Sequence, residues 1–251
     1  MDSYLILYGI GRSKNNINSI ISYFKKIEPN IKVIYSYIKV RNVDNPRSNE
    51  LGHINYNNFN NITKNSFEFV VDKNKKEKLL NFSKEFEDGH NDNYKSISNL
   101  INQLLLLENL NNYFKKINDE DITVVFRDDI KFDSFSKFYL KKIWKKIKVN
   151  NKVNVSAFSW HGGYNDKFFI SKAKNSKILL KRINYLKDST IKNNHLNAEE
   201  LIYFVLNKYN IKVNPIFCRV GRLRINGKVN WDPFRPSLTR LNDMFRVIKN
   251  L

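Results

Sequence analysis

Hydrophobic positions along this chain follow two alternating rhythms. Residues 4–8 form an unbroken apolar run, the pattern of a strand buried on both faces, and Gly9-Ile10-Gly11-Arg12 behind it reads as a tight turn. Over residues 15–26 the apolar positions Ile17, Ile20, Ile21 and Phe24 keep the i, i+3, i+4, i+7 spacing of a helix with one buried face. Residues 31–40 predict a second strand, so the chain opens as strand, turn, helix, strand, the start of a nucleotide-binding sheet. A short strand follows at 67–71, a helix at 75–86, and a turn in "EDGHNDNY". A long helix at 94–116 carries Ile97, Leu100, Ile101, Leu104, Leu105 and Leu107, and a strand is predicted at 122–126.

Beyond that strand, residues 138–147 predict a helix with Leu140, Ile143, Trp144 and Ile147 on one face and lysines on the other. "VNVSAFSW" predicts a strand, "HGGYNDKFFI" a glycine-broken turn entering an apolar run, and "LNAEELIYFVLNKY" a helix. "IKVNPIFCRVGRLRINGK" reads as a strand or hairpin turning at "NGK", and "LTRLNDMFRVIKNL" as a closing helix. Residues 41–66 are Asn-rich and without period, so they read as a long loop. The alternation of helix and strand predicts an α/β layer architecture. With no internal repeat and no Pro/Gly-rich linker, residues 1–251 read as one domain.

Composition narrows the classes. Apolar residues make up 41% of the chain, enough to bury a core, which excludes global disorder. The only cysteine, Cys218, lies in an apolar run and reads as a buried thiol; a disulfide framework is excluded and no Cys/His spacing fits zinc. No apolar run approaches membrane-spanning length and the first residues lack a basic leader, so a soluble, cytoplasmic protein is expected. The formal charge of +20 points to polyanionic partners: nucleic acid, an anionic membrane or nucleotide phosphates. The richness in Lys, Asn and Ile equally fits drift under AT-rich coding DNA, with lysines on solvated faces.

Five clusters carry candidate chemistry. In "YGIGRS" a glycine turn at the end of the first strand lets backbone approach a ligand, and Arg12 has the forked geometry that grips a diphosphate. It is neither GxGxxG nor a Walker loop. In "VVFRDDIKFD", strand alternation sends Arg127 and Asp129 to one side and Asp128 to the other, with Asp128 and Asp133 reading as turn residues. In "WHGGYNDKFFI", Asp166 is either a working carboxylate or part of an Asx turn capping a helix near Lys167. His195 and Glu199 lie one helical turn apart, and Arg219, Arg222 and Arg224 cluster in "CRVGRLRINGK".

The order of these elements resembles GT-A-type glycosyltransferases, the nucleotide-diphospho-sugar transferase-like proteins of large DNA viruses, algae and bacteria. The resemblance runs over "ILYGIGRS", "SISNLINQLLLLENL" with "VVFRDDIKF", "HGGYNDKFFI", "HLNAEELIYFVL" and "RLRINGK". It implies a GT-A-like (Rossmann-like) mixed sheet flanked by helices, with a nucleotide half over about 1–133 and an acceptor half over about 134–251. The implied reaction moves a sugar from a UDP- or GDP-sugar to a hydroxyl on a glycan or glycoconjugate acceptor. By position, Gly9, Gly11, Arg12, Asn99, Arg127 and Asp128 would border the donor. Asp129 would hold Mn2+ or Mg2+, and Asp166 and Glu199 would be the catalytic carboxylates. Gly162, Gly163, Asn165, His195, Arg222 and Arg224 would line the acceptor side or the cleft. An acid is expected where Arg127 stands, so metal dependence is left open. Peripheral contact with an anionic membrane is a further expected partner, and nucleic acid is not. The competing reading is a non-catalytic basic protein binding nucleic acid or an anionic surface. A transferase gathers Arg12, Asp129 and Asp166 into one cleft, whereas a binder spreads its arginines over a surface.

Overall fold

In this computed structural model, which describes residues 1–45, 50–56 and 62–233, the first strand lies inside the sheet. β1 (Ser3–Gly9) pairs in parallel with β2 (Lys32–Tyr37) on one side and β6 (Ile122–Arg127) on the other. That placement explains its unbroken apolar run. Ile6 and Tyr8 enter one core while Leu5 and Leu7 enter the core on the opposite face. α1 (Lys14–Ile27) connects β1 to β2, starting where the Ser13 side chain accepts from Asn16 N at 3.2 Å and burying Ile17, Ile20 and Phe24.

Next come β3 (Asn42–Asn45), β4 (Glu50–His53), β5 (Ser66–Glu68), α2 (Lys73–Ser83) and α3 (Lys95–Phe114). After β6, a tight turn leads into β7 (Ile130–Phe132) and then α4 (Ser134–Val149), capped by Asp133 accepting from Ser136 N at 2.7 Å. The chain continues through β8 (Val153–Ser156), β9 (Phe168–Lys172) and α5 (Ala173–Leu180). A 3-10 turn at Arg182–Tyr185 precedes α6 (Leu186–Asn193) and α7 (Ala198–Lys208). The described chain ends with β10 (Val213–Ile216), β11 (Val220–Leu223) and β12 (Val229–Trp231).

Among the described residues the central sheet has the order β10-β8-β9-β6-β1-β2-β5, with β9 antiparallel to both neighbours. The mixed, helix-flanked sheet expected from the sequence is therefore present. α3, α5 and α7 contribute Leu104, Leu179 and Val205 to one core; α1 and α4 contribute Phe24 and Trp144 to the other. Cys218 is a buried free thiol, and burial pushes its pKa up. No helix among the described residues is long and apolar enough to cross a membrane.

Two expectations change. Residues 41–66, read as loop, contain the β3–β4 hairpin, whose partners are distant in sequence: Gly52 sits against Ile225, and Glu50 is buried under arginines. "IKVNPIFCRVGRLRINGK" divides between two sheets: β10 joins the central one, while β11 forms a small sheet with β7 and β12. The predicted closing helix lies outside the described residues.

Candidate active site

The chain leaves β1 toward β2 and crosses to the other side of β1 for β6, so the crevice at their C-terminal ends is a topological switch point. A cleft with about 60 Å³ of interior space opens there. Gly9, Arg12, Arg127, Asp128 and Asp129 line it, with Gln103 from α3.

Its floor is the turn Asp128-Asp129. Asn16, in the first turn of α1, donates to Asp128 O at 2.7 Å and Ile130 O at 3.1 Å, tying the Asp128-Asp129 turn to the helix. The Asp128 carboxylate points under the glycine turn, accepting from Gly11 N at 2.7 Å and Tyr35 Oη at 3.1 Å. A Cβ on Gly9 would overlap that carboxylate, and Gly11 has φ of 68°, so both glycines are required by geometry. Tyr56 pins the same turn from above, donating to Ile10 O at 2.6 Å and accepting from Val40 N at 2.9 Å.

Asp129 lies inside a cage of guanidinium groups. Arg127 grips it with Nε at 3.1 Å and Nη2 at 2.9 Å, Arg222 reaches it with Nε at 2.9 Å, and Arg12 adds a further bond. Arg222 arrives because β11 pairs with β7, placing it opposite Ile130, and Leu223 N donates to Asp129 O at 2.6 Å. Glu50 forms a second layer, with Arg12 Nε at 3.0 Å and Arg224 Nη1 at 3.2 Å. Arg127 also bridges sideways to Asp166 at 3.4 Å, so one guanidinium links Asp129 to Asp166, although Asp166 itself does not line the cleft.

Charges respond to this crowding. Burial opposes ionisation of Asp129, yet Arg127, Arg222 and Arg12 together hold its pKa well below the carboxylate range. For Asp128, burial and then the charge of Asp129 raise the pKa to about 7 despite the Gly11 N–H. Arg222 is pushed down to about 10, by burial first and then by repulsion from Arg127. Asp166 is lowered: burial resists, but Arg127, Lys167 and the fully buried Arg182 outweigh it. Glu199 is raised to about 8 by burial and then by the charge of Asp166. Its neighbouring acid is thus ionised where Glu199 is largely protonated.

Asp128 gives a pH signature. Its folded-state pKa lies above the ordinary 3.8, so its contribution is fully present below pH 3.8 and is lost as pH rises through about 7. Wild-type stability should fall across that window by at most about 1.4 kcal/mol per pH unit from this group. Asp128→Asn should flatten that segment of the curve, as urea melts at a series of pH values will show; an unchanged slope would remove Asp128 as its source.

The remaining predicted residues are placed as follows. Asn99 is exposed on α3, one turn before Gln103, and does not line the cleft. Gly163 is needed because a Cβ would overlap the Glu199 carbonyl, and Gly162 has φ of 89°; both pack the loop on the start of α7. Asn165 is a loop-former, donating to Phe158 O at 2.9 Å and accepting from Lys167 N at 2.9 Å. That Asx turn leads into β9, not into a helix. His195 pairs with Glu200 at 3.1 Å and not with Glu199, because Asn197 caps α7 and leaves His195 outside the helix. Arg224 reaches Glu50 and stands behind the cleft.

Sequence reasoning missed Asn16, Glu50, Gln103 and Arg182. Arg182 is wholly buried, donates to Leu179 O at 3.1 Å, and leaves Nε and Nη2 without a partner among the described residues. Its position in "LLKRINY" resembles any helix-end arginine, so no local signal marks it.

A divalent cation needs free carboxylate oxygens. Both Asp129 oxygens are taken by guanidinium nitrogens, and among the described residues no three His, Cys, Asp or Glu side chains come together as a metal site. The residues present do not fit the Mn2+ or Mg2+ expected at Asp129, because arginine occupies the positions a cation would fill.

No family model and no curated protein matches the chain. Solved structures with a similar layout include the galactosyltransferase LgtC in complex with donor and acceptor sugar analogs, 11% identical, covering 84% of this chain and 73% of that one at a TM-score of 0.41. Mouse xyloside xylosyltransferase 1 in its apo form is 8% identical, covering 86% and 84% at 0.42. The 2-C-methyl-D-erythritol 4-phosphate cytidylyltransferase of Francisella tularensis is 10% identical, covering 87% and 91% at 0.44. At these scores the likeness assigns no role to any residue.

Proposed function

We propose that this chain transfers a sugar from a nucleoside diphosphate sugar to a hydroxyl acceptor, with guanidinium groups in place of a divalent cation. The observation that supports it most is the arginine cage on Asp129, set beside a glycine turn at the switch point of the sheet. In such a transfer the bond from the anomeric carbon to the diphosphate oxygen breaks and the diphosphate keeps the electron pair. The acceptor oxygen bonds to that carbon and gives up its proton. The growing negative charge on the leaving group is what arginines at Arg12, Arg127 and Arg222 stabilise.

The cleft floor has room for only a few waters. It would take only the phosphate oxygens nearest the arginines, with the rest of the diphosphate and the nucleoside lying across the mouth, toward Ile38 and Leu106. On the other side of Arg127, Asp166 and Glu199 divide the work of two carboxylates whose environments push them apart. Asp166 stays ionised against Arg127 and Gln103 at the edge of the cleft and takes the hydroxyl proton; Glu199, raised to about 8 and so largely protonated, orients the acceptor. A basic binding surface would spread its arginines, and these four converge on two buried acids.

A thermal-shift panel of UDP- and GDP-sugars tests the reading. A donor that binds only the folded chain raises the melting temperature, and the rise should persist with EDTA in the buffer. A shift that appears only with Mn2+ would return the diphosphate to a cation. No shift with any donor would remove the transferase reading.

A further inference from the structure

We propose that the start of α4, together with the loop before β11, docks this protein on an anionic lipid bilayer. α4 buries Leu140, Trp144 and Ile147, which accounts for one face. The opposite face carries Phe135 and Phe138, 62% and 68% exposed and one turn apart. Phe135 stacks on Tyr139 with centroids 6.2 Å apart, and the Phe217 backbone lies beside the Tyr139 hydroxyl. Phe217 is itself 42% exposed. Two residues on, Arg219 N donates to Ser136 Oγ at 2.7 Å, and its guanidinium lies 5.6 Å from the ring centre of Trp231, 39% exposed. Four large aromatics thus project from one end of the molecule, held there by α4 and the β11 approach.

The next two turns of α4 present Lys141, Lys142, Lys145 and Lys146, all exposed. None forms an ion pair among the described residues, whereas Lys172, Lys174 and Lys177 elsewhere on the surface each have an acid. Phenylalanines exposed on the outer face of a helix, backed by unpaired lysines, suit a headgroup boundary that takes apolar side chains and neutralises cations. A single-stranded nucleic acid is gripped instead by a groove lined with stacking platforms, and Phe135 and Phe138 stand on one exposed helix face with lysines on the turns that follow. β11 joins the patch to Arg222, so a docked chain holds its cleft close to the headgroups.

Co-sedimentation of the full chain with phosphatidylcholine vesicles, with and without phosphatidylserine, tests this at low and high salt. Sedimentation is expected with phosphatidylserine only, and weaker as salt rises. The double variants Phe135→Ser/Phe138→Ser and Lys142→Glu/Lys145→Glu should each reduce vesicle affinity about tenfold, with unchanged melting temperature. Neither pair lines the cleft, so donor-induced shifts should be unchanged whatever the donor chemistry proves to be. Equal sedimentation of Phe135→Ser/Phe138→Ser and wild type would overturn the proposal. So would absence of vesicle binding with a single-stranded DNA affinity, or a concentration-dependent dimer, that the same variant loses.

Discussion

Asparagine in place of Asp129 is expected to lower the unfolding free energy by about 3–5 kcal/mol, the range for removing one partner from a buried ion pair. The residue is 2% exposed, and its side chain accepts from Arg12, Arg127 and Arg222. Asparagine keeps the shape but turns one acceptor oxygen into a donor, so an N–H group faces guanidinium N–H groups, and the cage keeps its positive charge without an anion. The loss should also free the β6–β7 turn from β11, because both Arg222 and the Leu223–Asp129 backbone bond meet there. Acid does not mimic the substitution at ordinary pH. The depressed folded-state pKa keeps the contribution present above 3.8 and releases it only as pH falls far below that value. Denaturant melts should show a lower midpoint at constant slope. The exposed pair Lys32–Asp2 supplies the contrast: Asp2→Ala should leave the denaturant midpoint close to that of the wild type, because solvent screens the pair. A melt of Asp129→Asn that overlays the wild type would mean the cage does not hold these elements together.

How much of this was readable in the sequence depends on whether the determining partner is near in the chain. β1, α1, β6 and α3 announce themselves by local periodicity, because each buries a face whose spacing its own residues set. The β3–β4 hairpin does not: Val43 is its one buried apolar residue, and its anchor, Glu50, meets Arg224 from 174 positions away. Strand alternation placed Arg127 and Asp129 on one side, and both do face the cleft. It also turned Asp128 away, yet Asp128 ends under the glycine turn because the strand ends at Arg127 and alternation no longer applies. The gathering of Asp129 and Asp166 could be hoped for from motif order. The arginine cage could not, since Arg222 reaches Asp129 only through the pairing of β11 with β7, a register no local pattern encodes.

Arg222→Ala should weaken nucleoside diphosphate binding about 10–100-fold, the worth of charge-assisted bonds to a phosphate, and destabilise the unliganded protein less than Asp129→Asn does. The two effects separate for one physical reason. Arg222 spends its Nε on Asp129, and neither terminal nitrogen has a hydrogen-bond partner among the described residues. Its charge is disfavoured in place, by partial burial and then by Arg127, while Asp129 and Asp166 pull the other way. Removing it therefore relieves repulsion and leaves Asp129 still paired with Arg12 and Arg127. A diphosphate brings negative charge to guanidiniums that repel one another, so its binding relieves that repulsion. Arg222→Lys restores a charge but not the fork, and should recover only part of the affinity. Calorimetric titration with UDP in EDTA, set beside thermal melts of the unliganded variants, measures both sides. Wild-type affinity for Arg222→Ala would move the diphosphate away from the cage. A wild-type affinity that vanishes with the chelator would mean that a cation, and not the guanidiniums, carries the leaving group's charge.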